Sequence, residues 1–390
     1  MDFALSETQK LLVKTARQFV ASELIPLEAQ VEDQGRLDPA VARAIFEKSR
    51  GLGLYATNIP EAYGGGGLSA VDSCLVEEQF GHTTDILIRR AFGNVYEVLL
   101  ACDEAQKERW LLPTVRGERT CSICLTEPEA GSDAAAIRTR AVRDGAGWLL
   151  SGSKCFISDG LFSDFFVVTA VTDPKAGARG ISLFLVDKDT PGLTVGCDMP
   201  MMGLRGTSHV ELTFDRIRLG AEHLLGAEGQ GLKLAFDTLG RIRLAHIGAR
   251  AVGKAMRLLA LMTDHARARR QFGRPIADFQ LVQQMLADSA IEIEMARLLL
   301  LRTAHAVDQG APARARISMV KVAAAEMLGR VADRAVQVFG GMGYCRELPV
   351  ERLYRDARIF RIYDGTSEIH RGVVARGLLE HGAALVDPGG

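Results

Sequence analysis

The sequence predicts an α+β chain in three successive parts, helical, then β, then helical, and three observations carry that expectation. Only 6% of the residues are aromatic while 47% are hydrophobic, an apolar share led by Ala, Leu, Val and Ile that suits long helices packed on one another. Between residues 120 and 228 the texture changes to short β-branched or alternating runs separated by Gly, Pro and Asp, the pattern of strands and turns. At 390 residues the chain also exceeds what one core fills, since single cores stop growing near ~250–300 residues.

Leu5, Leu11, Leu12, Thr15, Phe19 and Val20 recur at helical spacing behind Ser6, so Ser6 caps a helix with Glu7 in its first turn. Pro26 bends or ends that helix, and a second runs over 39–48 before Gly51 and Gly53. The loop 59–67 is too glycine-rich for helix or strand, and a helix pair follows over 69–81 and 88–102. Strands are expected at 147–152, 165–171, 181–186 and 209–214. Helical periodicity returns near Gly229 and lasts to about Leu379. The stretch 281–307 is apolar around most of its circumference, as in a bundle core or a subunit interface. Domain boundaries accordingly fall at 1–119, 120–228 and 229–390, with a frayed tail after Leu385 and a cleft where the three parts meet.

Lys and Arg total 47 against 48 Asp and Glu, a net charge of -1 that offers no surface for a polyanion, so no nucleic-acid partner is expected. The opening lacks a basic segment followed by an apolar one, and no stretch nears the ~18 apolar residues of a membrane span, so a cytoplasmic chain without a membrane partner is expected. Seven cysteines, an odd number without framework spacing, fit a reducing compartment. Cys121 and Cys124 form a CxxC, but no second pair completes a metal site; they read as ordinary thiols, and no metal is expected.

Three segments carry chemistry. Leu125-Thr126-Glu127-Pro128-Glu129-Ala130-Gly131-Ser132-Asp133 is either a decorated β-turn or a loop whose free amides bind a carbonyl or pyrophosphate oxygen. In Gln337-Val338-Phe339-Gly340-Gly341-Met342-Gly343-Tyr344 a helix stops at glycines, which either cap it or let backbone approach a ligand. In Tyr363-Asp364-Gly365-Thr366-Ser367-Glu368-Ile369-His370-Arg371 an acid precedes a Gly and two hydroxyls at a helix N-terminus, where capping alone would account for Thr366 and Ser367.

Taken in order with Ile25-Pro26, the Pro60-Glu61-Ala62-Tyr63-Gly64-Gly65 loop, Phe156-Ile157-Ser158, Met202-Gly203-Leu204-Arg205-Gly206-Thr207 and Arg269-Arg270-Gln271-Phe272-Gly273-Arg274-Pro275-Ile276, these segments resemble the acyl-CoA dehydrogenase family over roughly residues 1 to 380. The resemblance implies a helical N-terminal domain, a central β-sandwich or barrel and a C-terminal four-helix bundle, assembled as a homo-oligomer, usually a tetramer. It implies FAD as cofactor, with Ile123, Leu125, Thr126, Gly131 and Ser132 along the flavin, Thr126 bonded to its ring and Ser132 near a bound thioester. Phe156, Ile157 and Ser158 would cover the other part of the ring. Arg269, Gln271, Phe272 and Gln280, with Gln337, Val338, Gly340 and Gly341, would meet the pyrophosphate and adenine of a neighbouring subunit's FAD, and Thr366, Ser367 and Glu368 would close on the nucleotide from the first subunit.

The implied reaction is α,β-dehydrogenation of an acyl-CoA thioester: a carboxylate removes the α-proton as the β-hydrogen leaves to flavin N5 as hydride, and electrons pass to an electron-transfer flavoprotein. A thioester α-carbon is weakly acidic, so base and flavin must sandwich the substrate. The family usually carries Glu immediately before Gly-Thr-Ser, whereas this chain has Asp364, shorter by about one C–C bond, ~1.5 Å, with Gly365 beside the substrate. In the other place where the family puts its base, between Asp237 and His246, there is no Glu; Arg243 or Arg241 would reach the CoA portion, and His246 faces either the acyl pocket or the core. Arg89 and Arg90 are either a solvated face or a paired cation for a carboxylate or sulfinate at the far end of a substrate. With Asp364 they keep an alternative open, a lyase on the same scaffold that expels a leaving group such as sulfinate without net flavin reduction.

Overall fold

The computed structural model describes residues 4–93 and 95–386, so the expected frayed tail lies, but for Val386, outside the described residues. The first helix, Glu7–Phe19, opens in a capping box: Gln9 N–H donates to Ser6 Oγ at 3.1 Å, and Ser6 N–H to Gln9 Oε1 at 3.0 Å. Pro26 does not stop the helical course; it sits in the 3-10 turn Ile25–Leu27, ahead of Glu28–Gln34, where a missing N–H is tolerated. Pro39–Gly51, capped by Asp38, and Ala70–Phe80, capped by Ser69, follow, and the glycine-rich loop between them holds the 3-10 turn Glu61–Tyr63.

The helix expected over 88–102 is instead Asp85–Phe92, with a separate 3-10 turn at Glu97–Ala101. Gly93 breaks it. Its φ is +60°, and a Cβ there would lie 2.5 Å from the Tyr55 ring, so the chain turns where only glycine fits.

Eight strands form one sheet: β1 Cys121–Cys124, β2 Arg140–Asp144, β3 Gly147–Ser158, β4 Phe165–Val171, β5 Ile181–Asp187, β6 Leu193–Val195, β7 His209–Leu219 and β8 Leu224–Leu225. Their order is β6-β7-β3-β2-β4-β5-β8, with β1 parallel beside β4. Buried on both faces, β4 and β5 read as continuous apolar runs. Phe165, Val167, Leu183 and Leu185 pack with Trp110 and Leu111 of the N-terminal part, while Phe166, Val168, Phe184 and Val186 meet Trp148, Leu150 and Leu212 across the sheet. Cys121 and Cys124 are buried in this arrangement, and burial pushes both thiols up.

The C-terminal part runs through Gly231–Ile242, a π-helical segment Arg243–Ala249, Arg250–Ala268, Gln280–Asp308, Arg314–Phe339, Pro349–Arg358 and Ser367–His381. Its core is rich in small residues, among them Ala251, Ala255, Ala296, Ala324 and Ala332, which let the helices approach closely. The N-terminal part docks on it through two glycines: a Cβ on Gly253 would lie 1.8 Å from the Glu78 carbonyl oxygen, and one on Gly81 2.3 Å from that of Arg250. Among the described residues, no helix is long and apolar enough to cross a membrane, and no group of three or more His, Cys, Asp or Glu is placed to hold a metal.

Candidate active site

Asp364 lies in the turn between Ile359–Arg361 and Ser367–His381, with φ +52°. A left-handed non-glycine residue costs about 1–3 kcal/mol and persists only where its surroundings hold it. Here Arg243 Nε donates to the Asp364 main-chain oxygen at 2.8 Å, His370 Nε2 lies 3.0 Å from that oxygen, and His370 Nδ1 lies 2.9 Å from Ser318 Oγ. Thr366 caps the helix that follows, accepting the Ile369 N–H at 3.3 Å. The N–H groups of Asp364 and Gly365 donate to no acceptor among the described residues, which leaves both for a ligand oxygen.

The Asp364 side chain is half-buried, and desolvation by the protein packed around it pushes its carboxyl above the ordinary value. Arg243, His246, Lys321 and Arg89 oppose that shift. Such a carboxyl can ionise yet holds a proton more readily than free Asp, the property a general base for a weak carbon acid requires.

A cleft is walled by Thr57, Ser73, Glu77, Tyr96, Ile242 and His246 among others. Ile242 and Leu244 on its wall flank Arg243, whose Nε bonds the Asp364 main-chain oxygen, so the cleft reaches toward the turn. His246 is thus on the cleft wall, its Nε2 3.3 Å from Glu77 Oε1. Arg243 is half-buried against the Asp364 peptide, while Arg241 is exposed.

Arg89 and Arg90 are neither a solvated face nor cations waiting for a substrate carboxylate. Arg89 binds Asp85 through Nε at 2.5 Å and Asp159 through Nη1 at 3.2 Å, and Arg90 binds Asp159 at 2.8 Å and lies over the Phe162 ring. Arg250 extends the chain of pairs, 3.7 Å from Asp85 and 2.6 Å from Glu77. Against the penalty of burial, Arg250 and His246 hold Glu77 down at about 2. This network ties all three parts of the chain together beneath the cleft. Sequence reading missed its acids; only the Asp85 and Arg89 spacing of four residues hinted at it.

The predicted flavin residues of the sheet come together. Cys155 N–H donates to the Thr126 carbonyl at 2.9 Å and Ser122 Oγ to the Ser158 carbonyl at 2.5 Å, so Ile123, Leu125 and Thr126 run beside the Phe156-Ile157-Ser158 end of β3. A pair not foreseen braces the turn: Lys154 Nζ lies 2.7 Å from Glu127 Oε1, and Glu127 also accepts the N–H groups of Arg138 and Thr139. Phe156 sits in a β-bulge with φ +56° and is 56% exposed, while Ile157 is buried and offers only its main chain. The hydroxyls of Thr126, Ser132 and Ser158 have no partner among the described residues, and a Cβ on Gly131 would meet nothing within 4 Å. An exposed aromatic near the uncommitted hydroxyls of Thr126 and Ser158 suits a flavin, a flat ring with polar edges.

The second predicted group lies on an arm. Arg270–Gln271 and Arg274–Pro275 form a hairpin after Arg269, with Phe272 at its tip, 93% exposed. The His265 ring stacks on Phe339 at 4.1 Å, and Arg269 N–H donates to the His265 carbonyl, so the base of the arm that carries Arg269, Gln271 and Phe272, and leads on to Gln280, is anchored beside Gln337, Gly340 and Gly341. Val338 is buried in the core beside them. Among the described residues, no hydrogen bond, ion pair or ring contact joins this group to Thr126 or Phe156 of the same chain. Ser367 is buried with its hydroxyl unpartnered, and Glu368 is exposed.

Models of the acyl-CoA dehydrogenase N-terminal, middle and C-terminal domains match residues 6–118, 122–217 and 229–379. Acryloyl-CoA reductase (NADH) of Anaerotignum propionicum is 37% identical over 390 residues, covering 97% of this chain and 96% of its own. The mitochondrial short-chain specific acyl-CoA dehydrogenase of Homo sapiens is 39% identical over 379 residues, covering 96% and 91%. The solved structure of butyryl-CoA dehydrogenase from Megasphaera elsdenii matches with a TM-score of 0.89 at 34% identity, covering 97% of this chain and 100% of that one. The fold, the three domain matches and these similarities agree: the chain belongs to the acyl-CoA dehydrogenase family of FAD-dependent oxidoreductases.

Proposed function

We propose that the protein dehydrogenates the Cα–Cβ bond of an acyl-CoA thioester, with the Asp364 carboxylate as the base that removes the α-proton. The observation that carries this reading is the Asp364 turn: a desolvated carboxyl toward which a cleft reaches, its peptide clamped by Arg243 and His370. The uncommitted N–H groups of Asp364 and Gly365 are donors for the thioester oxygen, where charge builds as the α-proton leaves. The clamp fixes the backbone that carries the carboxylate before substrate arrives, which lowers the cost of orientation at the moment of reaction. FAD, when bound, supplies the acceptor for the β-hydrogen as hydride.

Thr126, Ser132, Phe156 and Ser158, with Ile123, Leu125 and Gly131, would hold the flavin ring; Arg269, Gln271, Phe272 and Gln280, with Gln337, Gly340 and Gly341, would hold the nucleotide end of a second copy's FAD. Leu281, Ile291, Met295 and Leu298 are exposed along Gln280–Asp308, which supports a homo-oligomer, a tetramer being the expected form. An electron-transfer flavoprotein takes the electrons onward in this reading. The lyase reading loses the arginine half of its motive, because Arg89 and Arg90 already bind Asp85 and Asp159.

Anaerobic mixing of the FAD-loaded protein with a panel of saturated acyl-CoAs tests the proposal. Bleaching of the flavin with formation of an enoyl-CoA is expected for at least one member. Elimination of a leaving group while the flavin stays oxidised would overturn it in favour of the lyase.

A further inference from the structure

Lys321 has no role in the chemistry above. It lies on Arg314–Phe339 one turn beyond Ser318, the residue whose hydroxyl meets His370, and it is 0% exposed. Its ammonium has no hydrogen-bond partner among the described residues. An unpaired buried ammonium is among the costlier things a fold can keep, so its presence beside the base turn needs a reason.

Charged groups face this region from every element packed on it. They are Asp364 in the turn, Arg243 and His246 on the π-helical segment, Glu368 and His370 on Ser367–His381, Arg314 and Glu326 on the helix of Lys321 itself, and Arg89 from Asp85–Phe92. Most are committed elsewhere. Glu326 binds Arg361 at 2.9 Å and Arg371 at 3.5 Å, and Glu368 is exposed. Of the four cations that act on Asp364, Arg243 is bonded to its main-chain oxygen, His246 faces Glu77, and Arg89 binds Asp85 and Asp159. Lys321 alone is fully buried with no bond among the described residues, and Asp364 is the charge that acts on it most strongly.

We propose that Lys321 is a positioning residue for the catalytic carboxylate, its buried and uncommitted ammonium favouring the charged form of Asp364 from the helix that Ser318 and His370 join to the Asp364 turn. This rests on Asp364 being the base. Burial pushes Lys321 down to about 8, the cost the fold bears for keeping a cation there.

The test uses the FAD-loaded protein and the panel acyl-CoA that bleaches its flavin fastest, with bleaching rates followed across pH for the parent, Lys321→Met, Lys321→Gln and Lys321→Arg. Loss of the cation raises the pKa of Asp364, so the acid limb should move up by about one pH unit or more in the two neutral variants, about ten-fold slower bleaching on that side. Lys321→Arg should keep the parent limb. FAD content identifies folded variants, and Lys321→Gln carries the test if Lys321→Met does not fold. An unmoved limb in a neutral variant that retains FAD overturns the proposal, as does an equal shift in Lys321→Arg, which would make the effect one of packing. Parent-like bleaching by Asp364→Asn removes the base assignment itself; slow Asp364→Asn with an unmoved limb in the neutral Lys321 variants removes only Lys321.

Discussion

Arg243 binds the peptide of Asp364 and leaves its carboxylate free: Nε donates to the main-chain oxygen at 2.8 Å, and among the described residues no ion pair joins the two side chains. A π-helical segment places that arginine, a distortion of the helical ladder that recurs at functional sites. The cation therefore fixes the left-handed turn without quenching the base.

Arg243→Ala should consequently lower the rate of flavin reduction while leaving product affinity nearly unchanged. Loss of one charge-assisted hydrogen bond, about 1.5–3 kcal/mol, corresponds to roughly ten-fold or more if the turn relaxes. Stopped-flow reduction and titration with an enoyl-CoA separate the two effects. The opposite result, weak product binding at a parent-like rate, would restore Arg243 to the CoA contact its sequence position suggested.

Asp364→Asn should keep FAD and bind an acyl-CoA product, yet lose roughly 10²-fold or more in the reductive half-reaction. It should also stabilise the fold. The folded value of Asp364 is raised, so its favourable contribution exists below the ordinary Asp value of about 3.9 and is lost as pH rises through the folded value. Asn cannot ionise. The variant should melt above the parent at neutral pH, and the difference should vanish on acidification below about pH 4. A parent-like melting temperature at neutral pH would show that the turn imposes no such strain on the carboxylate.

Glu77 carries the reverse sign. Its folded value is held at about 2, so it stabilises the fold above its ordinary value, and that contribution is lost as pH falls toward 2. Glu77→Gln leaves Arg250 buried with one fewer partner and should cost about 3–5 kcal/mol at neutral pH, shrinking on acidification. Denaturant melts at several pH values check this; a difference independent of pH would mean that shape, and not charge, is what Glu77 contributes.

Sequence legibility followed the range of the interactions involved. Ser6 and Thr366 were readable as caps because each acts on an amide three residues away. The fully buried strands were readable too, because burial on two faces makes Phe165–Val171 and Ile181–Asp187 almost wholly apolar, whereas Gly147–Ser158 and His209–Leu219 run well past the expected 147–152 and 209–214. Gly93 was not, since its need for glycine comes from the Tyr55 ring, distant in sequence. The pairs Arg90 to Asp159 and Lys154 to Glu127 were equally invisible, each joining segments that only the folded sheet brings together. Family resemblance supplied the candidates at the flavin and at Asp364, but the buried Lys321 behind that turn has no local signature in its alanine-rich helix.

Asp364→Glu asks how closely the turn is fitted to the shorter acid. Glu extends the carboxylate by about one C–C bond, ~1.5 Å, and a displacement of ~1 Å can cost on the order of 10²-fold. The Arg243 and His370 contacts are both to the main chain, so the clamp survives the substitution and the added carbon can be taken up by side-chain torsions. Glu is also the residue that the family more commonly places before Gly-Thr-Ser. Asp364→Glu should therefore retain flavin reduction within about ten-fold of the parent, far above Asp364→Asn, with the two variants compared on one acyl-CoA by anaerobic stopped flow. If Glu proves as slow as Asn, a carboxylate at this position is not sufficient, and the left-handed Asp364 turn sets the reacting distance for the shorter side chain alone.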